Sequence, residues 1–355
     1  MSKSSNEQPV GIQELYSPGL NADIDIVAVH GLNGDAYKTW TSDKGNVNWL
    51  KDANLLPKYL PNARILTWGY NANVLSLKGR TTSSDRILQH AQTLVAQLQA
   101  DRELENASER PIIFLCHSLG GIIVKRALAY SMSRTAAKIS HLHSIYTSTY
   151  SILFFGTPHS GSRKAQLAAS LQKLASFTTP TKLLETDSNL LRALEEDSEI
   201  LQNISDQFAP LMTRFHIFFF WEQERTELKY TKDYIVDETS AAPILDNTER
   251  SGISANHRNM CKFDSKDSPG FRTVVAALKR YSQDAPGVVR TRNVRAGEML
   301  SVQGWHEATE LVGGNLGVEQ GRSAVAGLEG GADALRGRDE ELGGGIVRRR
   351  GLRGD

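Results

Sequence analysis

Residues 111–121, PIIFLCHSLGG, constrain this chain more than any other stretch. The apolar run Ile112 to Cys116 has the length of a buried strand and ends abruptly at Ser118. Gly120 and Gly121 follow, and Ile122, Ile123 and Val124 then open a helical pattern. The stretch therefore reads as strand, tight serine-bearing turn, helix. The two glycines leave room for strand and helix to approach closely.

The same alternation runs from Ile24 to Tyr281. Strands are predicted at Ile24–His30, Ala63–Tyr70, Ile112–Cys116, Ile152–Phe155 and Phe215–Trp221, with a short one at Tyr234–Val236. Helical spacing covers Trp49–Leu60, with a break expected at Pro57. It recurs in a helix capped by Ser83 or Ser84 (Ile87, Ala91, Leu94, Val95, Leu98), in Leu119–Ser131 and in Phe271–Tyr281. Strands alternating with helices predict an α/β fold with a mostly parallel central sheet and helices on both faces. Active sites in such sheets lie at the carboxyl ends of the strands. That rule gathers His30-Gly31, Ser118, Thr157-Pro158-His159 and Glu222 at one edge.

Three segments flank or interrupt this pattern. Residues 1–22 read as a flexible lead-in to a domain over 23–283. Residues 164–213 are mostly helical in spacing and stand where a helical cap would be inserted. Residues 284–355 change character: beyond Pro286 lie 16 glycines, ten arginines and no lysine, with Trp305 the only aromatic. Such a composition cannot bury a core and predicts disorder. Ten acidic residues offset the ten arginines there, which argues against an RNA-binding tail.

The net charge of +1 gives no pull toward nucleic acid. The polar N-terminus lacks the apolar core of a signal peptide, and no apolar run is long enough to span a membrane. Cys116 and Cys261 are the only cysteines and have no framework spacing, so a reducing, cytoplasmic setting is expected. The histidines fall at no metal-ligand spacing, and neither a metal nor a cofactor is expected.

A strand–serine–helix turn is the form of a nucleophile elbow, in which the serine is exposed at the sheet edge. The usual Gly-x-Ser-x-Gly pattern has Cys116 in place of its first glycine, and Ser118 could instead be an ordinary N-cap. If Ser118 is the nucleophile, its base must follow it in the chain, after an acid. His141 and His143 lie in a connection, His216 begins a strand and His306 is in the tail. His257, in the polar loop before the closing helix, is the candidate base. Glu222, directly after the Phe215–Trp221 strand, is the first choice for the acid and Asp237 the second. Leu119 and Leu32 are the candidate oxyanion-hole donors through their backbone N–H groups. His159, in Gly-Thr-Pro-His-Ser-Gly, is read as a structural histidine bonded to backbone rather than a pocket-shaping one.

Taken together, VHGLNGD, LCHSLGGIIVKRAL, ILFFGTPHSGS and ANHRNMCKF resemble the lipase-like serine esterases of the α/β-hydrolase superfamily. They are similar to the serine-active-site-containing proteins and to the hydrolase domain at the N-terminus of fungal NACHT or NB-ARC signalling proteins. The resemblance covers roughly residues 15–283. It implies an α/β-hydrolase fold and carries Ser118, His257 and a late acid over as a triad. The implied activity is hydrolysis or transfer of the acyl group of a carboxylic ester, often lipid-related. It also implies peripheral contact with endoplasmic reticulum or mitochondrial membranes as an alternative to a cytoplasmic location.

Two other readings remain open at this level. The fold could serve as a weakly active or inactive signalling module, a reading motivated by Cys116 and the undecided acid. Residues 31–39, GLNGDAYKT, could form a P-loop, but Tyr37 stands where that motif needs glycine.

Overall fold

The computed structural model describes residues 9–72, 83–159, 170, 173–174, 202–228, 231–299 and 301. The strands are β1 (Gly11–Tyr16), β2 (Ile24–Val29), β3 (Ala63–Gly69), β4 (Ile112–His117), β5 (Thr149–Phe155), β6 (His216–Glu222), β7 (Thr226–Glu227), β8 (Lys232–Asp233) and β9 (Thr248–Ile253). Seven of them form one sheet in the order β1-β3-β2-β4-β5-β6-β9, while β7 and β8 pair as a separate ribbon. Every pairing in the main sheet is parallel except β1 with β3. The mostly parallel sheet expected from the alternation is observed, in the α/β-hydrolase fold that the resemblance implies.

The central strands are mostly apolar because both faces are covered. On β2, Val27 and Val29 face one core, and Ile26 and Ala28 face the other. The first core is closed by α2 (Ser83–Leu104) through Ile87, Ala91, Leu94, Val95 and Leu98, and by α3 (Leu119–Met132) through Ile122, Ile123 and Leu128. The second is closed by Trp40, Trp49 and the helix 271–299. Aromatic side chains continue across neighbouring strands: Phe154 stacks on Phe219 at 5.8 Å and Phe155 on Phe220 at 4.8 Å. Each buried phenylalanine contributes about 1.5–3 kcal/mol.

Several boundaries differ from the sequence expectation. The lead-in 1–22 contains β1, an edge strand whose half-exposed residues carry little apolar signal. The strand expected at Tyr234–Val236 is absent; the two residues before it pair as β8 instead. The last strand of the sheet is β9, TERSGI, which is polar because it forms an edge with little buried surface. Helix formation in 49–60 is confined to α1 (Leu56–Tyr59), where Pro57 suits the first turn. Trp49, Leu50 and Leu60 are nevertheless buried, from non-helical backbone. The closing helix passes through Pro286 to residue 299, so the segment 284–299 belongs to the fold rather than to a disordered tail. Ala285 and Val289 are buried there, and Arg292 donates to the carbonyl oxygens of Thr149 (2.8 Å) and Arg214.

Of the expected cap 164–213, residues 202–208 are helical and Ala209–Arg214 forms a 3₁₀ helix. The remainder, apart from 170, 173 and 174, lies outside the described residues, as does 302–355. The chain divides into units Met1–Leu300 and Ser301–Asp355, and the fold above belongs to the first. Among the described residues no helix is long and apolar enough to cross a membrane.

One buried carboxylate ties the layers together at the end of the sheet opposite the strand termini. Asp25, at the start of β2, is fully buried and accepts from Arg64 on β3 at 2.9 Å, from Arg110 before β4 at 2.9 Å, and from Arg102 on α2. Burial alone would raise the Asp25 carboxyl, but Arg102, Arg64 and Arg110 outweigh it and hold the group below its ordinary 3.8. Burial also lowers Arg102 to about 10, which leaves it charged at neutral pH. The carboxylate therefore contributes stability above pH 3.8 and loses it as pH falls toward the lowered value. Replacing Asp25 by alanine should destabilise the fold by about 3–5 kcal/mol, because three guanidinium groups lose their shared counter-charge. Urea denaturation at pH 7 measures this, and a change below about 1 kcal/mol would refute the role.

Candidate active site

Ser118 lies between β4 and α3 with φ 52° and ψ −126°, a backbone region that a non-glycine residue adopts only under constraint. The constraint is local and visible. The Ser118 N–H donates to the Phe155 carbonyl oxygen at 2.9 Å, and its own carbonyl accepts from Gly121 N–H (3.1 Å) and Thr157 Oγ1 (3.0 Å). The turn is thereby pinned to the end of β5. Ser118 Oγ makes no bond to the first turn of α3 and has no hydrogen-bond partner, so the N-cap reading does not hold.

Three glycines make this geometry possible. A Cβ on Gly31 would stand 2.7 Å from Ser118 Cβ and 2.9 Å from the His117 carbonyl oxygen. On Gly120 it would reach the Val29 and His30 carbonyl oxygens at 2.5 Å, and on Gly121 the Thr157 hydroxyl at 2.3 Å. Cys116 needs no such room. Its thiol is fully buried in the core beneath α2 and α3, so the first position of the motif accommodates a small side chain. Neither Cys116 nor Cys261 is in a disulfide.

His257 follows β9 and is 3% exposed. Its Nδ1 is 3.3 Å from Glu222 Oε1, at ion-pair distance but off the line of a hydrogen bond, and its Nε2 has no partner among the described residues. The ring rests on Gly156, at φ 57°, where any Cβ would lie 2.9 Å from the imidazole. Glu222 ends β6 and is 3% exposed. Its carboxylate is oriented by Val236 N–H, which donates to Oε1 at 2.8 Å, and by Thr226 Oγ1 at 3.5 Å from Oε2. Asp237 is placed differently. Its side chain accepts from Ser240 N–H and caps the short helix Glu238–Ala241, and among the described residues no hydrogen bond or ion pair joins it to His257. The structure thus brings Ser118, His257 and Glu222 to one edge and leaves the second-choice acid in a capping role.

The loop after β2 is equally ordered. Gly34 N–H donates to the Gly31 carbonyl at 3.0 Å, and Asp35 accepts from the N–H groups of Tyr37 (2.8 Å) and Lys38 (2.9 Å). His30 stacks on Tyr70 at 4.3 Å, donates from Nδ1 to the Gly31 carbonyl, and is lowered to about 4 by burial, so it is neutral. The N–H groups of Leu32 and Leu119 have no hydrogen-bond partner among the described residues. No phosphate cradle forms here: Thr39 Oγ1 accepts from Asp35 N–H, and Lys38–Trp40 is a single 3₁₀ turn rather than a helix.

These groups front a cleft of about 690 Å³, lined by Leu32, Ser118 and His257 together with the polar residues Asp35, Lys38, Arg258 and Lys262. One contributor was missed in the sequence. His117 Nε2 donates to the His257 carbonyl at 2.9 Å and so tethers the loop that carries the imidazole. Burial, then the neighbouring His257, lowers His117 to about 3, so it stays neutral. Its place beside the serine was the available signal. The loop is further held by Trp49 Nε1, which donates to the Cys261 carbonyl at 2.9 Å. His159 also differs from expectation, since its backbone bonds to Ser240 while its ring Nε2 has no partner. Among the described residues no cluster of histidine, cysteine and acidic residues could hold a metal ion.

The parallel sheet, the strained serine between β4 and α3, and the late histidine and acid at the same edge define an α/β-hydrolase. The chain belongs to the family described as "Putative serine esterase (DUF676)", whose profile matches residues 23–242. Among characterised sequences it is 27% identical to Protein SERAC1 of Mus musculus over 261 residues, covering 69% of this chain and 37% of that protein. It is 26% identical to Protein SERAC1 of Homo sapiens over 285 residues, covering 72% and 40%. The chain thus spans less than half the length of these relatives. Solved structures with a similar fold include the esterase RhEst1 from Rhodococcus sp. ECU1013 (TM-score 0.42, 11% identity, 79% of this chain and 98% of that one). Another is a lipase-esterase related protein from Clostridium acetobutylicum ATCC 824 (TM-score 0.41, 13% identity, 76% and 98%).

Replacing Gly31 by alanine forces the loop away from Ser118 at a cost of about 1–3 kcal/mol in stability. The variant should stay folded yet react with a fluorophosphonate probe at least about tenfold more slowly, because the serine and the oxyanion loop no longer fit. Equal labelling rates for variant and wild type would exclude the role given to this loop.

Proposed function

We propose that this chain is a serine hydrolase of carboxylic esters in which Ser118, His257 and Glu222 act as a catalytic triad. The observation that carries the reading is the shared cleft. Ser118 and His257 both line it, the serine oxygen and the imidazole Nε2 are buried without hydrogen-bond partners among the described residues, and the imidazole Nδ1 lies 3.3 Å from the buried Glu222 carboxylate. Unpartnered buried polar atoms are costly, and a site that uses them in the reaction accounts for the cost.

In this mechanism His257 Nε2 takes the Ser118 proton as Oγ attacks the ester carbonyl. Glu222, oriented by Val236 N–H, holds the ring and stabilises the imidazolium. The N–H groups of Leu119 and Leu32 receive the oxyanion; the first is an unpaired donor at the start of α3. The carbonyl re-forms, the alkoxide leaves with the proton from His257, and an acyl-Ser118 intermediate remains. Water then attacks with His257 as base and releases the acid; an alcohol entering instead would make the reaction an acyl transfer. The cleft volume suits a small-molecule or lipid ester. No apolar span is required for the chain to act on a substrate presented at a membrane surface.

Fluorophosphonate labelling tests the nucleophile: wild type should label and Ser118→Ala should not, and absence of labelling in folded wild type sinks the proposal. On p-nitrophenyl esters, Ser118→Ala should lower kcat by at least about 10³-fold. Glu222→Gln should lower it by about 10²–10⁴-fold, since the ring loses its anionic partner, whereas Asp237→Asn should leave kcat within about twofold. A large loss in Asp237→Asn with activity intact in Glu222→Gln would reverse the assignment of the acid. Varying the acyl chain in the same assay reports the substrate class.

A further inference from the structure

A second cavity lies on the α3 side of the sheet and shares no lining residue with the cleft of Ser118. It has a volume of about 490 Å³, within the ~300–1,000 Å³ range of small-molecule pockets. Its walls are largely aromatic and aliphatic, with Phe208, Met212, Phe215 and Phe219 prominent. Two basic side chains that the ester-hydrolase reading leaves unused line it. Lys125, on α3, is 3% exposed; its ammonium has one hydrogen-bond partner, Ser205 Oγ at 3.3 Å, and otherwise faces the rings of Phe154 and Phe208. His159, after β5, is 5% exposed; its ring lies edge-on to Phe154 and Phe219, and Nε2 has no partner.

We propose that this cavity binds an aliphatic carboxylate, with the acid group accepting from Lys125 Nζ and His159 Nε2–H and the hydrocarbon chain lying against Phe208, Phe215, Phe219 and Met212. The ligand chemistry follows from the donors and from what is missing. An ammonium and an imidazole N–H both donate, and no described carboxylate is bonded to either. The acidic residues of the lining, Asp206 and Asp246, are exposed at the rim, where water screens them. Burial lowers Lys125 to about 7 and pushes His159 well below its ordinary range, consistent with two desolvated groups lacking a counter-charge. A carboxylate supplies that charge and also the hydrogen-bond acceptors that buried donors require. The apolar walls favour an acid with an alkyl tail over a small hydrophilic one.

Isothermal titration calorimetry with sodium decanoate and the full chain tests the proposal. Decanoate should bind one to one, and binding should persist in Ser118→Ala and after fluorophosphonate blocks Ser118, which separates this site from the esterase reading. Decanol, matched in chain length, should bind at least tenfold more weakly. Lys125→Met should weaken decanoate binding at least tenfold, and Met212→Trp, which adds bulk to the cavity wall and leaves Lys125 in place, should do the same. The second variant decides the matter if the first does not fold. Absence of binding up to about 1 mM, equal affinity for decanol, or loss of binding when Ser118 is blocked would each overturn it.

Discussion

Ser118 holds a left-handed backbone that its side chain disfavours, and the surrounding structure exists to hold it there. The N–H of the serine is bound by the end of β5, its carbonyl by Thr157 and Gly121, and its flanks by glycines that no larger residue could replace without collision. A strained turn of this kind costs about 1–3 kcal/mol and persists only when its neighbours over-determine it. Register supplies the neighbours. Val29 pairs with Cys116, and His117 with Phe155, so the ends of β2, β4 and β5 stand side by side. Phe155 pairs with Phe220, and Glu222 with Ile253, which carries the same edge on to the acid and to the loop of His257.

The two ends of the sheet have different duties. At the start of β2, Asp25 and three arginines lock strands and helix together through shared ion pairs. At the finishing ends, polar atoms are left without partners and glycines leave room for them. The cavity of Lys125 and His159 is a second place where a buried ring nitrogen stands without a partner among the described residues, and it shares no lining residue with the cleft of Ser118.

Much of this was legible in the sequence because the central strands are buried on both faces. Their apolar runs stop where the chain leaves the core, and His30, Ser118 and Glu222 stand at or just past those stops. Edge strands escaped the same reasoning: β1 and β9 bury little and carry a polar pattern that resembles a loop. Composition misled at residue 284, where loss of lysine and gain of glycine masked a helix that stays anchored by Ala285, Val289 and Arg292. Pro57 confined helix formation to α1, yet the apolar spacing around it still marked the buried residues correctly.

By itself the sequence determined the alternating fold and the serine at its turn, since those depend on local pattern and chain direction. Only the tertiary structure placed the Glu222 carboxylate beside His257 and the Asp237 side chain at the cap of a helix turn. It also decided that Cys116 is tolerated and that His117 and Gly156 support the imidazole. Each of those outcomes rests on contacts between residues far apart in the chain. Such contacts are set by how strands register and pack, and local sequence carries no record of them.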